Sequence, residues 1–200
     1  MNDFAAMPKS VVVYCASSNH ISEIYMTAAD VLAEKLVEHQ IQIIYGGGGS
    51  GLMGRLANKA LSLNGQVLGI IPGFMKDIKW DHPEVADMEV VADMHERKRK
   101  FIEKSEAIIA LPGGPGTFEE LFEAITLKQL GQHVHPIVII NINGYFNPLL
   151  ELLNKAIQEK FMAQHHRNAW VVIENPADII SAIRNAPPWS KDAIHSAALL

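Results

Sequence analysis

The chain has 200 residues, 48% of them apolar and 20% charged, with a formal net charge of -5. That is enough for one α/β domain with a sizeable core, and the acidic balance argues against a nucleic-acid partner, which calls for a basic face. No apolar run approaches the roughly 18 residues of a membrane span, and the first residues, MNDFAAMPKS, lack the basic and apolar regions of a secretion signal, so a cytoplasmic protein is expected.

Taken in chain order, residues 1–9 are expected to be a flexible N-terminus, and the first strand is predicted at SVVVYCAS, residues 10–17. Cys15, the one cysteine, lies inside this apolar run and reads as a buried core thiol rather than a reactive one. Ile21, Ile24, Tyr25, Ala28, Val31, Leu32 and Leu36 then hold one helical stripe. Further β-branched runs follow at residues 41–46, 66–72, 106–113, 136–143 and 169–174. Such runs, apolar throughout, belong to strands buried on both faces, hence to a parallel sheet. Leu121, Ile125 and Leu130 mark a second helical stripe, and Leu149, Leu153, Ile157 and Phe161 a third. The alternation predicts a single-domain, doubly wound, Rossmann-like α/β fold over residues 10–185, with residues 186–200 a peripheral tail.

Two strand-to-helix loops are glycine-rich: YGGGGSGLMG, residues 45–54, and PGGPGTFEE, residues 112–120. In open α/β sheets ligands gather at such loops, where backbone N–H groups and a helix N-terminus can meet an anion. Gly46, Gly48 and Gly51 fit GxGxxG, but the dinucleotide fingerprint belongs after the first strand and needs an acidic residue near the end of the next one, where Ile70, Ile71 and Pro72 stand. A P-loop fails because Leu52 and Met53 occupy the lysine and hydroxyl positions. A mononucleotide phosphate is the simplest anion left, with Gly47, Gly48 and Gly113 as phosphate-loop candidates.

Between the loops lies DMHERKRKF, residues 93–101. Arg99 and Lys100 read as a solvated helix face. Met94 and Phe101 share the opposite face, and Arg97 and Lys98 fall between them, so two inward cations call for an anionic partner. Thr117 and Glu120 also spell T-x-x-E, so a capping box that only starts a helix is the competing account of Glu120. The nine histidines offer no third ligand at metal-site spacing beside His133 and His135 or beside His165 and His166, so no metal is expected.

YGGGGSGLMG, MHERK and PGGPGTFEE resemble, in order and spacing, the nucleotide phosphoribohydrolases of the LONELY GUY family, whose members have often been labelled lysine decarboxylases; the resemblance extends over most of residues 10–185. It implies hydrolysis of the N-glycosidic bond of a purine nucleoside 5′-monophosphate, AMP or an N6-prenylated adenine nucleotide, without a cofactor. It makes Arg97 and Glu120 the catalytic pair, and implies substrate contacts from Arg97, Lys98, Gly114, Pro115, Gly116, Thr117, Phe118, Glu119, Glu120 and Thr126. It further implies a homodimer or higher homo-oligomer. Lys79 stands where many members carry a glutamate, and Ala16 where many have glycine. The alternative is a carrier of a nucleotide-bearing cofactor on the same fold, as in the molybdenum-cofactor carriers. A carrier has use for phosphate loops but none for a carboxylate beside the ribose.

Overall fold

The computed structural model describes residues 7–197. Seven strands form one all-parallel sheet: β1 (Ser10–Tyr14), β2 (Gln42–Tyr45), β3 (Val67–Pro72), β4 (Asp87–Val91), β5 (Ile108–Ala110), β6 (Ile137–Ile140) and β7 (Val171–Ile173). Their spatial order is β4-β3-β2-β1-β5-β6-β7, so the chain winds outward from β1 and then returns to lay β5 on its other side. The doubly wound fold is as expected. Six strands lie in the predicted runs. β4 was not predicted, because it pairs on one side only and its sequence, DMEVV, carries two acids with only Val91 buried. At the other edge β7 keeps a β-branched run, VVI, and so was legible.

The helices are α1 (Glu23–Glu38), α2 (Gly51–Ser62), α3 (Gly73–Asp77), α4 (Met94–Lys104), α5 (Pro115–Gln129), α6 (Asn147–Gln158), α7 (Ile179–Arg184) and α8 (Ala193–Ala197). Side chains of α1, α2 and α7 pack on one face of the sheet, and those of α4, α5 and α6 on the other. Cys15 is buried in the first of these cores, as expected. Four stripe residues depart from the expectation: Ile21 precedes α1, Ile24 is exposed, Leu130 is the partly exposed C-cap of α5, and Phe161 lies past the end of α6 with 80% of its surface exposed.

Residues 1–6 and 198–200 of the expected termini lie outside the described residues. Met7 packs against the first core, and the Lys9 N–H donates to Glu106. In the tail, Trp189 Nε1 donates to the Lys128 carbonyl at the end of α5, and the Lys128 ammonium lies 5.7 Å from the indole centroid.

The strand order reverses between β1 and β5, and there the loops interlock. The Ala16 N–H donates to Pro112 O (3.1 Å), while Ala16 O accepts from Met53 N–H (3.2 Å). The two glycine loops and the loop after β1 are therefore stitched together at the carboxyl ends of the strands, the position at which such sheets bind ligands.

Candidate active site

Helix α4 begins with a reciprocal cap: Asp93 accepts from the Glu96 N–H (2.8 Å), and the Glu96 carboxylate accepts from the Ala92 N–H (2.7 Å). This fixes the helix start and hence the direction of Arg97, one turn along. Its side chain crosses the ends of β2 and β3, with Nε donating to Ile70 O (3.0 Å) and Nη2 to Gly46 O (2.8 Å). Phe101 lies beneath the guanidinium, 5.1 Å from its ring centroid. The remaining terminal nitrogen, Nη1, is 3.7 Å from a Glu120 carboxylate oxygen. Arg97 is 5% exposed and Glu120 7%, so this is a buried ion pair whose cation is also held by two carbonyls.

Gly114 is the N-cap of α5, Pro115 its first residue, and the Phe118 N–H donates to Gly114 O (3.1 Å). Thr117 is thus the third residue inside the helix, and the Thr117–Glu120 pair is not a capping box. Proline suits the first position because it has no N–H to leave unpaired. The N–H groups of Gly116 and Thr117 precede the first intrahelical donor and are open to an anion. Glu120, about one and a half turns in, faces inward. Burial pushes its carboxyl up to about 7, against the opposing pull of Arg97.

A cleft of about 670 Å³ opens over these groups. Gly114, Pro115, Gly116, Thr117 and Glu120 form one wall, with Arg97 at the floor. Gly48 and Met53 of the first glycine loop, and Met75, Lys79, Trp80 and Asp81 from α3 and the segment after it, form the other. Among the described residues, the anticipated catalytic pair and the 114–117 turn come together here, and so does Lys79.

Other anticipated residues sit outside the cleft lining. The Lys98 ammonium is 2.6 Å from Glu119 and 3.5 Å from Glu123, so the second cation of MHERK meets acids on the outer side of α5. Glu119 itself turns outward to make that pair. Phe118 stacks with Tyr145 at 6.5 Å, and the exposed Thr126 hydroxyl donates back to Phe122 O (2.8 Å). Gly47 accepts from the His82 N–H (2.9 Å) at φ 77°, and Gly113 O accepts from the Tyr145 hydroxyl (2.6 Å). Met75, Trp80, Asp81 and Met94 were not anticipated. Met94 is on the predicted α4 face beside Arg97, which was a usable signal; the other three carry no motif.

Among the described residues, no three His, Cys, Asp or Glu side chains gather so as to hold a metal ion, and no helix is long and apolar enough to cross a membrane. The model of the family described as possible lysine decarboxylase matches residues 53–183. A cytokinin riboside 5′-monophosphate phosphoribohydrolase of Arabidopsis thaliana is 39% identical over 180 residues, 90% of this chain and 79% of its own length. A probable one from Oryza sativa subsp. japonica is 38% identical, covering 90% of this chain and 74% of its own. Among solved structures, the molybdenum cofactor carrier protein of Chlamydomonas reinhardtii superposes with a TM-score of 0.67 at 19% identity, over 88% of this chain and 96% of its own; the molybdenum cofactor binding protein of Rippkaea orientalis gives the same values. Those two likenesses concern the fold alone. With the identity and coverage of the sequence relatives, the chain belongs to the LONELY GUY family of phosphoribohydrolases.

Proposed function

We propose that this protein hydrolyses the N-glycosidic bond of a purine nucleoside 5′-monophosphate, of the adenine type and including N6-prenylated forms, to free base and ribose 5-phosphate. The observation that carries the reading is the buried Arg97–Glu120 pair beside the open N-terminus of α5, within one cleft. The 5′-phosphate sits on the amides of Gly116 and Thr117, where the helix dipole and unpaired N–H groups favour an anion. This puts the anomeric carbon toward Glu120.

As the C1′–N bond breaks, positive charge spreads over the ribose ring, and a carboxylate nearby stabilises it. Water attacks C1′, one of its protons passes to Glu120, and the electron pair of the broken bond leaves with the base, which takes up a proton from solvent while Glu120 returns its own to solvent. A carboxyl held near 7 is suited to this, being ionised often enough to accept a proton and basic enough to keep it. Arg97 holds Glu120 in place. Because two of its donors are fixed on Ile70 O and Gly46 O, it does so without reorganising during the reaction.

A carrier of the same fold has no use for that carboxylate, and no feature of this cleft favours the carrier. The family resemblance also supports a cytoplasmic homodimer or higher homo-oligomer, which light scattering of the purified protein checks. Incubation with AMP, isopentenyladenosine monophosphate and adenosine, followed by chromatography for free base and ribose 5-phosphate, tests the activity. Release from the monophosphates is expected; release from none of them overturns it.

A further inference from the structure

We infer that Lys79 is a specificity-determining residue at the base-reading end of the cleft, where it donates to an acceptor on the six-position edge of the purine and admits 6-oxopurine nucleotides beside adenine ones. This rests on the hydrolase reading above. Among the described residues two cations line the cleft, Arg97 and Lys79. Arg97 is committed to Ile70 O, Gly46 O and Glu120. Lys79 is in no ion pair among the described residues, so its three donors remain for a ligand.

The backbone that presents it is fixed. Lys79 follows the C-cap of α3 at φ 59°, with its N–H on Lys76 O (2.8 Å) and the Trp80 N–H on Met75 O (3.2 Å), a closed helix end. The Trp80 carbonyl accepts from the Gly49 N–H (3.2 Å), and the His82 N–H donates to Gly47 O (2.9 Å). Residues 79–82 are thus pinned to the loop after β2.

The location assigns the partner. Residues 79–82 are held on the loop after β2, and the N-terminus of α5 follows β5; in the sheet these strands are separated by β1, two spacings or roughly 10 Å. With phosphate on α5 and C1′ at Glu120, the base extends toward Met75, Trp80 and Lys79. An ammonium has donors and no acceptor, so it pairs with the O6 carbonyl of hypoxanthine or guanine and offers nothing to the N6 amino group of adenine. Asp81, two residues on and also lining the cleft, supplies the acceptor that the amino group needs. The two side chains together accept either edge.

The test is kcat/KM for AMP, IMP and GMP with the parent protein, Lys79→Glu and Lys79→Met, with melting curves to show that all three fold. The parent is expected to release base from IMP within about tenfold of AMP. Lys79→Glu replaces the donor by an acceptor and lowers the IMP-to-AMP ratio by about tenfold or more, largely through KM, with Lys79→Met in between. Ratios within about twofold across the three proteins overturn the proposal, as does a parent that cleaves AMP but not IMP. If the parent cleaves no monophosphate, the hydrolase reading fails separately, and calorimetric binding of IMP and AMP to the parent and Lys79→Glu decides the role of Lys79 by the same ratio.

Discussion

The two glycine loops look alike in composition and do opposite things. In the first, the glycines make room for the protein itself: a Cβ on Gly46 would lie 2.1 Å from Arg97 Nη2, one on Gly54 would lie 2.2 Å from Gly49 O, and one on Gly51 would lie 2.5 Å from the Ser17 backbone. Two of the amides that begin α2 are also taken, Gly51 N–H by Asn19 Oδ1 (2.7 Å) and Met53 N–H by Ala16 O. In the second loop Gly113 abuts Thr117, but a Cβ on Gly114 or Gly116 would meet nothing within 4 Å. Internal packing does not demand glycine there. The first loop clamps the floor of the site, and the second leaves space for something that approaches from outside.

The comparison breaks most readily at the carboxylate that the second loop presents. Glu120→Gln keeps the shape and the helix position but can neither accept a proton nor stabilise a cation, so turnover is expected to fall by about a hundred- to ten-thousandfold. Melting temperature changes little, because glutamine fills the same volume. Glu119→Gln, on the outward side and paired with Lys98, serves as the control with a much smaller loss. Near-parent release of base by Glu120→Gln would show that the cleft holds its ligand without cleaving it.

Next in size is the phosphate. If the open amides of α5 hold it, adenosine is turned over at least about a hundredfold more slowly than AMP, since several charge-assisted hydrogen bonds disappear. Equal rates would mean that neither loop reads a phosphate.

The pH profile sharpens the same assignment. Burial raises the Glu120 carboxyl to about 7, so the ionised form needed as base accumulates only as pH rises through that value. The sign follows directly: kcat/KM increases with pH on the acid side and levels off above about 7. For stability the sign is opposite. A carboxyl whose folded value exceeds its unfolded one contributes most when protonated, below about 4.5, and that contribution is lost between about 4.5 and 7. A rate profile already flat at pH 5 would remove Glu120 as the base.

How much of this was legible in the sequence follows from what each part is made of. Five strands announced themselves because both of their faces are buried, and β7, at one edge, by its β-branched run VVI; β4, at the other edge, carries two acids in DMEVV and did not. MHERK and PGGPGTFEE marked the pair proposed as catalytic, but helix periodicity alone placed Arg97 and Lys98 together on the inward face. Neighbours on a helix point about 100° apart, so Arg97 turns to the floor of the cleft while Lys98 meets Glu119 and Glu123. The cleft wall opposite α5 was hidden for another reason. Trp80 and Asp81 come from an irregular segment whose position is set by backbone bonds to Gly47 and Gly49, and such bonds leave no residue-type signature.

The smallest expected effect discriminates best between the two loops. Gly54→Ala drives a Cβ into the Gly49 carbonyl, a backbone atom that can move only if the loop moves, and a destabilisation of about 1–3 kcal/mol is expected from the resulting overpacking. Gly116→Ala meets no neighbour, and alanine inside the first turn of α5 is a better helix former than glycine, so stability should hold or rise by about 0.5–1 kcal/mol. Its methyl group would stand in the cleft beside the amide assigned to the phosphate. The expected result is a KM for AMP raised about tenfold with kcat little changed, because a displaced phosphate weakens binding before and during the reaction alike. Thermal melts and steady-state kinetics on the two variants separate the loops: stability lost at Gly54, affinity lost at Gly116. If Gly116→Ala binds and turns over AMP as the parent does, the space above the second loop is not where the phosphate lies, and the open N-terminus of α5 must serve another part of the ligand.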